Sequence, residues 1–111
     1  MHLIVDGTVA EQLPDSEAIA VLPELALLIG MTPVGPVHIQ YFDLPQHKEL
    51  GISAVQFLAQ SHIILNYFRN SIGVDIFSCN SFNVYTATGF CVIRFKMDRI
   101  KVTLLDRKFI T

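Results

Sequence analysis

Two short polar segments interrupt the apolar stretch from Gly51 to Asn80: Gln60-Ser61-His62 and Ser78-Cys79-Asn80. A hydroxyl, an imidazole and a thiol are the groups on which nucleophilic and proton-transfer chemistry draws. Three β-rich runs surround them: Ile52–Ala59, Ile63–Phe68 and Val74–Phe77. Each alternates or is continuously apolar and is bounded by polar or turn-forming residues, which predicts consecutive strands. The Ser-His pair then opens one strand and the thiol follows the next. Taken singly, Ser61 reads as a polar turn residue and Cys79 as a small buried hydrophobe. Their joint placement is more than solubility requires.

At these positions the sequence resembles the small prokaryotic type of S-adenosylmethionine decarboxylase, the pyruvoyl enzyme of spermidine synthesis. That family carries Gly-Val-Ser-Gly, then Glu-Ser-His at the start of a strand, a second His five residues after the Ser, and a later Phe-Thr-Cys. The matching pieces here are Gly51-Ile52-Ser53-Ala54, Gln60-Ser61-His62, Asn66 and Phe77-Ser78-Cys79. The opening His2–Asp6 also resembles the family's first strand. Two positions depart from the pattern: Gln60 replaces a Glu, and Asn66 replaces the second His.

The resemblance implies a self-made cofactor. A serine hydroxyl attacks the preceding carbonyl to give an ester, elimination breaks the chain, and hydrolysis of the resulting dehydroalanine leaves a pyruvoyl group. The substrate amine forms a Schiff base with that ketone, which takes up the electrons released with carbon dioxide. By resemblance Ser61 is the pyruvoyl precursor, Cys79 the proton donor and Ser53 an aid to processing. The family's second His is a base for ester breakdown, a role for which the amide of Asn66 has no basicity near neutral pH. His62 shares a strand face with Asn66 and is the candidate substitute. For S-adenosylmethionine itself, aromatic side chains suit the adenine and the sulfonium. Phe42 and Phe68 are the candidates by position, with Asn70 where the family has an acidic residue.

The remaining elements must position these groups. Leu3-Ile4-Val5 reads as a strand closed by Asp6-Gly7. Ala18, Leu22, Leu25 and Ile29 make one helical face, with Asp15 or Ser16 as N-cap and Gly30 as stop. Pro23 either kinks this helix or begins its main segment. Thr32–Pro36 is a linker, Val37–Phe42 a strand and Asp43–Leu50 a loop. Phe82–Lys96 has strand-like composition. Yet Val84, Thr88, Cys91 and Phe95 share a helical face behind Asn83 as cap, and the family has a helix there. Ile100–Leu105 is the last strand. The order β-α-β-β-β-β-α-β predicts an α+β, two-layer α/β sandwich: one antiparallel sheet with two helices on one face.

Composition sets the outer limits. The 111 residues suit a single domain with one core. Half of them are hydrophobic (51%) and only 16% are charged, rich enough in apolar residues to expect burial against a second copy. The family pairs two protomers and builds its sites near their interface, which makes a homodimer the expected state. A net charge of −2 leaves no basic footprint for nucleic acid or an anionic membrane. The two cysteines form no redox or metal motif, and His2, His38 and His47 lack metal-ligand spacing. Nothing reads as a signal peptide or a membrane span, so a cytoplasmic protein is expected.

Three readings follow. The chain is a working decarboxylase cleaved between Gln60 and Ser61, an uncleaved homologue acting as a ligand-binding or regulatory partner, or a binding module in which Ser61 and Cys79 are incidental.

Overall fold

The computed structural model describes residues 1–44 and 49–106. Among them the chain runs β1 (His2–Val9), α1 (Asp15–Leu28), β2 (Pro33–Leu44), β3 (Glu49–Leu58), β4 (Ser61–Phe68), β5 (Ser71–Ser78), α2 (Val84–Arg94) and β6 (Met97–Leu105). The expected element order holds. The strands form one sheet in the order β2-β3-β4-β5-β1-β6, with every neighbouring pair antiparallel. β1 is thereby inserted between β5 and β6. Both helices pack on one face, α1 against β2, β3 and β4 and α2 against β1 and β6, and the two-layer α+β architecture is the one the pattern predicts.

Alternation along the strands divides the sheet into two faces. Leu3 and Val5, Ile52 and Ala54, Ile63, Leu65 and Tyr67, and Ile72, Val74 and Ile76 are buried under the helices. The opposite, helix-free face carries His2, Ile4 and Asp6, then Ser53, Val55 and Phe57, then His62, Ile64, Asn66 and Phe68, and finally Gly73, Asp75 and Phe77. His2, Asp6, Ser53, His62, Asn66 and Asp75 lie on this open face, whereas Ser61 and its partner Ser78 have the parity of the buried side. No described helix is long and apolar enough to cross a membrane.

Several boundaries differ from expectation. Neither Asp15 nor Ser16 caps α1; Pro14 does, its carbonyl accepting from the N–H groups of Glu17 and Ala18. Proline fixes the φ of the entering chain (−51°), so the helix begins without a side-chain cap. Pro23 lies inside α1 and deletes one intrahelical bond, a loss of about 3 kcal/mol in an isolated helix. Burial of Val21, Leu22 and Leu25 offsets this, at roughly 1.5–3 kcal/mol per large side chain. The helix stops at Gly30 as expected: with φ of 77° it lets Met31 N–H reach Ala26 C=O (2.8 Å) and its own N–H reach Leu27 C=O (3.1 Å), a Schellman arrangement.

β1 is not closed by Asp6-Gly7 but runs on to Val9. Its Gly7 allows the approach of Arg99 on β6, whose carbonyl would lie 2.7 Å from any Cβ there. β2 begins at Pro33, four residues early, because an irregularity between Val34 and His38 absorbs the Gly35-Pro36 pair, with Gly35 at φ 70°. The expected loop Asp43–Leu50 is invaded by both strands, and its residues 45–48 lie outside the described residues. α2 is shorter than Phe82–Lys96. Asn83 caps it as expected, accepting from Thr86 N–H at 3.0 Å, and Lys96 at φ 54° turns the chain into β6.

The β2 irregularity has a side chain assigned to it. Gln56, on the core face of β3 and almost wholly buried, donates from Nε2 to Gly35 C=O (3.1 Å) and Phe57 C=O (3.0 Å), with a longer contact to Val34 C=O. Losing one partner of a buried hydrogen bond typically costs about 1–3 kcal/mol. Gln56→Leu, which keeps the size and removes the amide donor from those carbonyls, should lower the unfolding free energy by that amount in denaturant melts.

Candidate active site

β3 and β4 are joined by a two-residue turn, Ala59-Gln60, with Leu58 paired to Ser61. Ser61 and His62 are thus the first residues of β4 rather than turn residues. Three backbone groups fix the turn. Ala59 N–H donates to Thr32 C=O (2.9 Å), Thr32 N–H donates to Gln60 Oε1 (3.1 Å), and Cys79 N–H donates to Gln60 C=O (3.0 Å). The Schellman end of α1 presents Thr32, and the end of β5 presents Cys79. The peptide between Gln60 and Ser61 is therefore held from both sides. Ser61 is paired with Ser78 across the ladder, and its Oγ lies 3.3 Å from His62 Nδ1, where the hydroxyl can donate to a neutral imidazole.

Around this point the open face is closely built. Phe77 is buried between two imidazoles, His62 at 5.7 Å and His2 at 5.5 Å between ring centroids. His2 Nε2 meets Asp75 Oδ1 at 2.6 Å. On the core side Ser78 is fully buried; its Oγ donates to Met31 Sδ (3.4 Å) and accepts Asn80 N–H (3.0 Å). Ser78 also exchanges backbone bonds with Met1. The thiol of Cys79, just past the strand, is exposed, so the alternative of a small buried hydrophobe is excluded.

The other sequence-derived residues gather elsewhere. Ser53 Oγ donates to Asn66 Oδ1 at 2.6 Å, and the two belong to a row running Gln40, Ser53, Asn66, Gly73, Asp6 across five strands. One row further, Phe42 and Phe68 are both paired with Gly51. The ring of Phe42 occupies the space that a side chain at Gly51 would need. Asn70 is exposed in the two-residue turn between β4 and β5, where its carbonyl accepts Val9 N–H (2.8 Å). Five residues of one strand separate Ser61 from Asn66, roughly 17 Å at strand rise. His62 and Asn66 share the open face, yet stand roughly 13 Å apart on the same basis. Within one chain, then, Ser61, His62 and Cys79 are together; Ser53 and Asn66 form a second group with Phe42 and Phe68 beyond it.

The family model for S-adenosylmethionine decarboxylase matches residues 1–108. The chain belongs to this family. Its fold is also that of the adenosylmethionine decarboxylase from Aquifex aeolicus VF5, with a TM-score of 0.73, 16% identity, and coverage of 99% of this chain and 91% of that one. No curated protein matches the sequence.

The sequence assigned no role to Thr32, to Ser78 or to the His2–Asp75 pair. The adjacency of Thr32 to the helix stop was the one available signal; the others depend on cross-strand register. The two cysteines separate in chemistry. Cys91 lies in the core and burial pushes its thiol up to about 12, far from forming thiolate at neutral pH. In this S-adenosylmethionine decarboxylase family member, iodoacetamide on the native protein should therefore label Cys79 and leave Cys91 untouched until denaturant is added, as read by peptide mass spectrometry.

Proposed function

We propose that this chain is a pyruvoyl-dependent S-adenosylmethionine decarboxylase of spermidine synthesis that opens its own backbone between Gln60 and Ser61. The observation that carries this reading is the hydrogen bond from Cys79 N–H to Gln60 C=O. When Ser61 Oγ attacks that carbonyl, its oxygen takes the negative charge, and a fixed donor already points at it. His62 Nδ1 receives the hydroxyl proton and returns it to the departing nitrogen of Ser61 as the C–N bond breaks, leaving an ester. Loss of the Ser61 Cα proton then forms a carbon-carbon double bond, and the Cβ–Oγ bond breaks to release Gln60 as a carboxylate. Water replaces the nitrogen as ammonia. Asn66 is no base, which leaves His62 to take the Cα proton as well.

The residues fit a pyruvoyl group at position 61, because the required carbonyl, hydroxyl and imidazole are contiguous and held. When present, that group supplies a sink for the electrons released with carbon dioxide. Cys79 Sγ, at the end of β5 beside the Ser61–Ser78 pair, holds the proton for the substrate's α-carbon. Ser53 on β3 and Asn66 on β4, which the family pattern would bring to the same site, lie far along the sheet from Ser61, and this separation favours a homodimer. A second copy laid on the open face, over Ile4, Val55, Phe57 and Ile64, can offer its Ser53, Asn66, Phe42, Phe68 and Asn70 to this chain's Ser61. We place the protein in the cytoplasm on its composition.

A second reading has its own support: Asn66 is hydrogen-bonded to Ser53 and lacks basicity, as in an uncleaved homologue that binds S-adenosylmethionine in a regulatory role. Intact mass of freshly purified protein decides. Two fragments parting between residues 60 and 61, the later one bearing a ketone, are expected; a single species at 12.4 kDa that still binds S-adenosylmethionine would establish the second reading. In the cleaving case His62→Ala should slow processing by about 100-fold, within the range of general-base effects, and an unchanged rate would remove His62 from the mechanism. Sedimentation velocity should give the mass of two chains; a monomer at assay concentration would argue against the shared site.

A further inference from the structure

At the Asn66 end of the open face, on the side away from Ser61, is a hollow of about 330 Å³ lined by Asp6, Asn66, Phe68, Ser71 and Gly73 among others, at the small end of ligand sites. It exists because Gly73 stands between Asn66 and Asp6 in the cross-strand row. A side chain there would meet Asp6 Oδ1 at 2.9 Å. Asp6 is exposed, and no described cation pairs with it. Lys101, its neighbour on β6 in register, forms no ion pair with it. Across the hollow, Asn66 Oδ1 is already engaged by Ser53, and Phe68 offers an aromatic ring. An unpaired carboxylate with an aromatic ring in the same lining suits a cation.

We propose that Asp6 is a specificity-determining residue that recognises the sulfonium charge of the substrate. The inference rests on the proposed function and its homodimer: there the second group of one copy, with Asp6 beside it, meets Ser61 of the other, the substrate's amine faces the ketone made from that Ser61, and the sulfonium is the positive charge left for Asp6. The carboxylate discriminates S-adenosylmethionine from its uncharged thioether, S-adenosylhomocysteine, which is otherwise nearly the same molecule and carries the same amine.

Both compounds would be titrated by calorimetry into the full chain carrying Ser61→Ala, which cannot be turned over, and into the same chain carrying also Asp6→Asn. Asp6→Asn is nearly isosteric, and retained binding of S-adenosylhomocysteine reports that the chain is folded. The expected result is a preference for the sulfonium compound that falls about tenfold in the Asp6→Asn protein, through weaker binding of S-adenosylmethionine alone. An unchanged preference, or an equal loss for both compounds, overturns the role of Asp6 and leaves the proposed function standing. Binding of neither compound to either protein overturns the proposed function and this inference together.

Discussion

The register of β3, β4 and β5 is the constraint on which the rest depends. Two turns of two residues, Ala59-Gln60 and Arg69-Asn70, fix it, the second with Arg69 at φ 56°. A slip by one residue would turn Ile63, Leu65 and Tyr67 outward and drive His62, Asn66 and Phe68 under the helices. Burial of the first set and hydration of the second both oppose that slip. The same register sets Cys79 N–H opposite Gln60 C=O, so the alignment of a reacting carbonyl follows from the packing of a core several residues away.

The helical layer contributes to this alignment from the other side. α1 ends in a Schellman turn because Gly30 adopts a positive φ. That turn aims Thr32 at the hairpin, where its N–H and C=O meet Gln60 and Ala59. Pro23 is tolerated because α1 is held by its buried face rather than by helix propensity, as is usual for short helices in proteins. The open face of the sheet is kept ordered differently, by edge-on and tilted ring contacts around Phe77 and by the hydrogen bond from Ser53 to Asn66.

Period-two alternation made the strands legible, and a 3.6-residue face with Asn83 ahead of it made α2 legible against its strand-like composition. The family segments located Ser61 and Cys79. What alternation does not encode is distance. His62 and Asn66 are correctly placed on one face, yet face membership says nothing about their separation along the strand. Gln56 was invisible because a lone Gln in an apolar run looks like an outward residue, whereas here it points inward to serve the carbonyls of a neighbouring strand's irregularity. Pro14 was passed over for Asp15 and Ser16 because side-chain capping preferences omit proline, which acts through its fixed backbone.

The insertion of β1 between β5 and β6 has a topological result for a chain opened after residue 60. The first fragment would own β1, β2 and β3, and the second β4, β5 and β6, so in the sheet order the two alternate rather than lie side by side. Separating them requires breaking three ladders, those of β3 with β4, β5 with β1 and β1 with β6. Such a nicked protein behaves as a single body while folded. Once denatured it is two solutes, and its return to the native state becomes second order in protein concentration, whereas the unbroken precursor refolds at a rate independent of dilution.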